Sequence, residues 1–187
     1  MLKVGDRAPN LKVSDWVQGE PTNIDKEIGK VVLVEVFQVN CPGAIFYGMK
    51  KATEIYKKFD RKDVTVLGFA TAFEDYGLNN LENLKAMLYD GKVVGDTKEK
   101  LGAWGGLENG RLKQKIPFPI ARDSLTNPPA VYSSFYNMGE YAETFNEYGI
   151  HGTPSSIIID RKGVLREITF GSGYDQMKAV KALVKEK

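Results

Sequence analysis

Val31-Val32-Leu33-Val34-Glu35-Val36-Phe37-Gln38-Val39-Asn40-Cys41-Pro42-Gly43-Ala44 is the stretch from which the rest of the chain can be read. Apolar and β-branched residues run to Phe37 broken only by Glu35, the pattern of a central strand covered on both faces. Pro42 suits the first position of a helix, where its missing N–H removes no hydrogen bond. The run therefore delivers Cys41, the single cysteine of the chain, to a helix cap. Unpaired N–H groups and the dipole at such an end favour negative charge and stabilise a thiolate, so the expected chemistry is thiol redox.

Downstream of Pro42, Ile45, Met49, Ala52, Tyr56 and Phe59 recur at helical spacing, with Phe46 and Ile55 beside them. This predicts an amphipathic helix of about four turns. The turn Asp60 to Asp63 leads to a second buried strand, Val64 to Ala70. A long helix joining two such strands implies a parallel, right-handed crossover. The thiol then lies at the carboxyl end of the first strand, the edge where open α/β sheets place their sites. From Thr71 to Lys115 the pattern predicts one helix, Leu78 to Tyr89 with an asparagine cap, followed by an irregular excursion broken by Gly91, Gly95, Gly102, Gly105, Gly106 and Gly110. Such a segment either shapes a substrate site or elaborates the surface.

Upstream, Leu11 to Trp16 is expected to pair with Thr22 to Ile24 as a short hairpin across Gly19 and Pro21, with Trp16 as a packing residue. Toward the C-terminus, Pro128 and Pro129 mark a turn and Glu140 to Tyr148 a short helix closed by Gly149. A strand through Ile157-Ile158-Ile159, a tight Asp160-Arg161-Lys162-Gly163 turn and a returning strand, Val164 to Phe170, form an antiparallel pair. Val180 to Val184 anchor a terminal helix.

The order strand, cysteine, proline, helix, together with Gly152-Thr153-Pro154-Ser155, resembles the thioredoxin-like superfamily. Within it the chain is similar to the redoxin branch of TlpA-like thiol-disulfide oxidoreductases and peroxiredoxin-like (AhpC/TSA) proteins. Val4-Gly5-Asp6-Arg7-Ala8-Pro9 resembles the usual redoxin opening, and Ile116-Pro117-Phe118-Pro119 with Asp123 its strand ending at an aspartate. The resemblance implies an α/β, three-layer fold: a central mixed sheet with helices on both faces, an N-terminal extension, and an insertion at about 71–115. It also implies that Glu35, six residues before Cys41, is the buried acid that exchanges protons with the thiol. Thr153-Pro154 would hold the family's cis-proline, lying against Cys41, where the preceding backbone can pair with an extended substrate. Pro42, Gln38 and Asn40 complete the substrate-binding set it suggests; His151, just upstream, reads as an exposed loop residue, with the edge of the site as the alternative.

Departures from the family's motifs narrow the chemistry. The second cysteine of the dithiol motif is replaced by Ala44, so the chain cannot close an internal disulfide to release a bound partner. Asn40 stands where a tryptophan usually precedes the cysteine. Peroxiredoxin positions for threonine and proline hold Gln38 and Val34, and no arginine is placed as a peroxide-binding partner. Three functions remain: a monothiol oxidoreductase working by thiol-disulfide exchange, a one-cysteine peroxidase with antioxidant activity, and a redox-inactive module that binds through the Thr153-Pro154 groove.

Composition bounds the remainder. With 187 residues, 42% of them hydrophobic, and no Pro/Gly/Ser-rich linker, one domain over 1–187 is expected. The net charge of +2 is spread along the chain and calls for neither nucleic acid nor membrane. One cysteine and one histidine exclude a disulfide framework and the usual zinc sites, and no metal or cofactor is called for. The expected partner is an external thiol or a protein disulfide, with a homodimer left open. The opening residues carry no apolar signal core, so the expectation is cytoplasmic, or extracytoplasmic if a leader has been removed.

Overall fold

The computed structural model describes residues 2–126 and 142–186. The sheet grows from β2 (Val31–Phe37), every residue of which is buried. Because side chains alternate across a strand, Leu33 and Phe37 enter one apolar cluster while Val32, Val34 and Val36 enter another. Glu35 shares the parity of Leu33 and Phe37 and so faces the first cluster. Two-sided burial explains why the sequence shows no polar alternate here.

β2 pairs in parallel with β3 (Val64–Ala70) and antiparallel with β7 (Ser155–Ile159). With β1 (Val13–Gln18), β6 (Ile120–Asp123) and β8 (Leu165–Phe170), the mixed sheet has the order β1-β6-β3-β2-β7-β8. One face is covered by α1 (Met49–Lys58), α2 (Leu81–Asp90), α3 (Gly95–Ala103) and α5 (Gln176–Lys185), through Met49, Ile55, Leu84, Met87, Leu101 and Val180. The other is covered by α4 (Glu143–Glu147) and the N-terminal segment, through Phe145, Tyr148, Leu11 and Ile24. This is the three-layer α/β arrangement expected.

The hairpin expected upstream does not form. β1 pairs instead with β6, and Thr22 to Ile24 leads into a 3₁₀ turn, Ile24–Glu27. Asn23 accounts for this. Its Oδ1 accepts from the N–H of Leu11 and of Ile24, and its Nδ2 donates to Leu11 O, so it ties the two segments by side-chain bonds.

The stretch from 71 to 115 is also more ordered than its glycines suggest. The first helix begins where Asn80 caps it, with Asn80 Oδ1 accepting from Asn83 N at 2.8 Å. A second, α3, follows Val94, and β4 (Leu107–Glu108) and β5 (Arg111–Leu112) form a small hairpin. Leu84, Met87 and Leu101 carry both helices into the core of the sheet. The turn expected at Pro128 and Pro129 and the helix start at Glu140 lie outside the described residues; α4 ends at Glu147, and Gly149 has φ +63.

Candidate active site

Cys41 follows the carboxyl end of β2 and precedes the helical residue Pro42, with its carbonyl accepting from Ile45 N at 3.1 Å. The thiol is half-buried and its Sγ donates to Thr153 O at 3.3 Å. The Thr153–Pro154 peptide bond is cis. Thr153 is half-exposed beside the sulfur, whereas Pro154 is buried and packs on the helix. Pro154 therefore supports the groove from beneath.

That packing depends on two glycines. The helix after Pro42 contains a π-turn, Ala44–Gly48, before α1 begins. Gly43 and Gly48, five residues apart and so brought to one side by a π-turn, both face Pro154: a Cβ at Gly43 would lie 3.7 Å from its Cδ, and one at Gly48 would lie 3.3 Å from its Cβ. A side chain at Gly48 would also collide with Glu35 Oε1. The missing side chain at Gly48 is what lets the carboxyl, the proline and the active-site helix come together.

Glu35 is fully buried under this helix. Burial pushes its carboxyl from 4.5 up to about 8, against the lowering effects of the Ser156 hydrogen bond and the Lys51 charge. Lys51 is held nearby, its Nζ donating to Tyr174 O at 2.9 Å and to Ser172 O. The carboxyl's partners form a directed chain. Gln176 Nε2, which can only donate, gives its proton to Ser156 Oγ at 3.0 Å, and Ser156 gives its own to Glu35 Oε2 at 2.7 Å. Oε2 is thus occupied as an acceptor. Oε1 has no hydrogen-bond partner among the described residues and faces Gly48 of the helix that follows Cys41.

Two residues expected to contact substrate are held by hydrogen bonds within the protein. Gln38 is 1% exposed, with Oε1 accepting from Phe73 N at 3.1 Å and Nε2 donating to Glu74 at 3.4 Å. Asn40 is engaged with the insertion: its N–H donates to Asn79 Oδ1 at 2.7 Å and its Nδ2 to Asp75 Oδ2 at 2.9 Å. Both fix the loop that carries Cys41. Pro42 is half-buried at the helix start, and His151 is exposed two residues before Thr153.

Other residues of the site were not singled out from the sequence. Ser156 stands opposite Glu35 in the β2–β7 register, and one polar residue facing another inside two apolar strands was the available signal. Gln176, Asn79 and Asp75 arrive from distant segments and left none. The insertion is also fastened further along the helix, where Gln114 Nε2 donates to Ile45 O at 2.9 Å inside the π-turn. A larger cleft of about 470 Å³, bordered by Gln18, Met87 and Arg111, includes none of the thiol's neighbours. Among the described residues no group of His, Cys, Asp or Glu could hold a metal, and no helix is long and apolar enough to cross a membrane.

The fold and this constellation define a class. A thiol-disulfide isomerase from Corynebacterium glutamicum is 30% identical, with 96% of this chain aligned to 98% of that one at a TM-score of 0.69. The chain belongs to the thioredoxin-like superfamily. A second solved structure, described as a thioredoxin-like superfamily protein, is 26% identical over 97% of each chain, with a TM-score of 0.71. Protein FixW of Rhizobium leguminosarum is 32% identical over 73 residues, 39% of this chain and 32% of FixW, so the match spans about a third of that relative. No family model matches the sequence.

Proposed function

We propose that the protein is a monothiol oxidoreductase that exchanges disulfides through Cys41. The observation that carries this is the position of Sγ, half-buried at a helix start and 3.3 Å from the backbone carbonyl of Thr153. In the first step the Cys41 thiolate attacks one sulfur of a substrate disulfide. A mixed disulfide forms, and the other sulfur leaves as a thiolate that takes up a proton. In the second step an external thiol, as its thiolate, attacks the substrate sulfur of the mixed disulfide and frees Cys41 as a thiolate. Each cycle converts one substrate disulfide into a substrate thiol and a new disulfide with the external thiol. Before the first step the Cys41 thiol passes its proton to ionised Glu35, and after the second the thiolate takes it back, an exchange suited to an acid raised to about 8.

Ala44 is what makes the external thiol necessary. A peroxidase reading is less well supported, because Sγ is hydrogen-bonded to Thr153, while Arg61, Arg111, Arg122, Arg161 and Arg166 are engaged with other groups.

The test is mass spectrometry after mixing with a small aromatic disulfide. One adduct per chain is expected, released by added thiol and absent from Cys41→Ser. Exchange that persists in Cys41→Ser, or a wild type that forms no adduct, would remove the redox reading. Rapid turnover of peroxide with little disulfide exchange would transfer the role to a one-cysteine peroxidase.

A further inference from the structure

The insertion contributes a surface as well as anchorage. Phe46 and Tyr47, on the helix that begins after Cys41, form an aromatic cluster with Trp104 of the insertion. Ring centroids are 4.9 Å apart for Phe46–Tyr47, 5.5 Å for Phe46–Trp104 and 5.8 Å for Tyr47–Trp104. Tyr47 and Trp104 are each 42% exposed, an unusual investment of aromatic surface in water. Beside the cluster opens a cleft of about 300 Å³, whose lining includes Ile45, Phe46, Lys50, Gly105, Gly106 and Lys113. Gly106 brings the insertion close to the helix, since a Cβ there would come within 3.0 Å of the Phe46 ring.

Three features identify the occupant. The first is position: Phe46 is five residues beyond Cys41, roughly 7–8 Å along the helix axis, within reach of a chain whose sulfur is at the thiol. The second is size. Ligand pockets run from about 300 to 1,000 Å³, so this cleft suits one large side chain better than a cofactor. The third is charge. Lys50 and Lys113 are exposed on its lining, no carboxylate lines it, and neither ammonium has an ion pair or hydrogen bond among the described residues. On the Thr153 side of the thiol, Phe170 is 65% exposed and covers Gly152, which extends the apolar surface to the other flank.

We propose that this cleft docks a disulfide-bearing polypeptide by one aromatic or large aliphatic side chain, flanked by carboxylates that meet Lys50 and Lys113. The inference rests on the exchange reading above and names its substrate class. A small disulfide reaches Cys41 without using the cleft, and a peptide uses both. The aromatic cluster supplies the anchor, and the lysines speed encounter in a salt-dependent way.

The experiment separates docking from chemistry. A short synthetic peptide carrying Phe between two Asp residues, with Ser in place of its cysteine, is titrated into the Trp16→Phe protein while Trp104 fluorescence is read. A saturable change is expected, weakened at least tenfold by Phe→Ala or by Asp→Lys in the peptide, and by Lys50→Glu with Lys113→Glu in the protein. The peptide variants keep the test valid even if the protein variant misfolds. No saturable change, or equal binding of all three peptides, overturns the proposal. So does a Trp104-dependent dimer in sedimentation, which would assign the cluster to a second copy. The adduct of the wild type with a small disulfide reports separately on the redox reading. An adduct without peptide selectivity defeats only the docking surface, and peptide binding without an adduct defeats only the chemistry.

Discussion

Glu35 costs the fold stability at neutral pH, and the sign follows from its titration. Burial lifts the carboxyl from 4.5 to about 8. Below pH 4.5 folded and unfolded chains both hold the proton, and the cost is absent. Between about 4.5 and 8 the unfolded chain ionises while the folded one does not. Stability therefore falls there, with a slope approaching about 1.4 kcal/mol per pH unit, and levels off above 8. Glu35→Gln lacks this fall, so its advantage over the wild type in denaturant unfolding should grow from pH 5 to 8 by about 2–5 kcal/mol. A difference that stays flat with pH would place the proton elsewhere. Under the proposed function the same variant should slow the proton-linked steps of exchange. Ser156→Ala removes a hydrogen bond that favours the carboxylate, so it should raise the Glu35 titration further, as followed by the carboxyl infrared band. At position 44, one turn past the thiol and fully buried, Ala44→Cys should form an intramolecular disulfide on mild oxidation, since Cα atoms one helical turn apart lie within the limit of about 7 Å. A variant that stays dithiol, or yields only dimers by mass spectrometry, would mean that the π-turn carries position 44 away from Sγ.

Among the elements, β6 and α4 depend on one buried side chain. Asp123 ends β6, fully buried, and accepts from Thr144 N at 2.9 Å, Phe145 N at 3.2 Å and Thr71 Oγ1 at 2.9 Å. Burial still raises its carboxyl to about 6, so desolvation outweighs these bonds. Asp123→Ala strands three donors and should destabilise by about 2–4 kcal/mol in chemical denaturation, whereas Asp123→Asn should cost less. A loss within ~0.5 kcal/mol for Asp123→Ala would show that the strand end and helix start are held independently. The elements readable from the sequence were those whose residues carry their own pattern. β2 and β3 are marked by their apolar runs and the helix after Pro42 by its apolar spacing, and Asn80 marks its helix by a cap. The expected hairpin failed because Asn23 satisfies Leu11 by side chain and leaves β1 free to pair with β6. α3 was missed because Gly95 and Gly102 flank or interrupt it and few apolar residues mark its face. The site divides similarly: Cys41, Glu35 and Thr153-Pro154 are marked by local context, while Ser156, Gln176 and Asn79 are defined by what they meet across the fold.

At the scale of the molecule the question is whether the insertion is an appendage or part of one cooperative unit. Leu84, Met87 and Leu101 enter the same apolar cluster as Leu33, Ile45 and Val180, and Thr97 Oγ1 donates to Val39 O at 2.8 Å. Asn40 adds two hydrogen bonds from the residue beside the thiol. Removing α2 and α3 would therefore open the core, and these helices should not unfold on their own. The two tryptophans give independent reporters. Trp16 lies on β1 and packs against the cluster on one face of the sheet, while Trp104 closes α3 in the insertion. In the single-tryptophan proteins Trp16→Phe and Trp104→Phe, fluorescence and far-ultraviolet dichroism should give coincident denaturation curves within each protein, with the same slope in both. An earlier transition reported by Trp104 alone would make the insertion a separately unfolding unit. The loop carrying Cys41 would then be held by an element that can release it, and exchange rates should rise as that first transition begins.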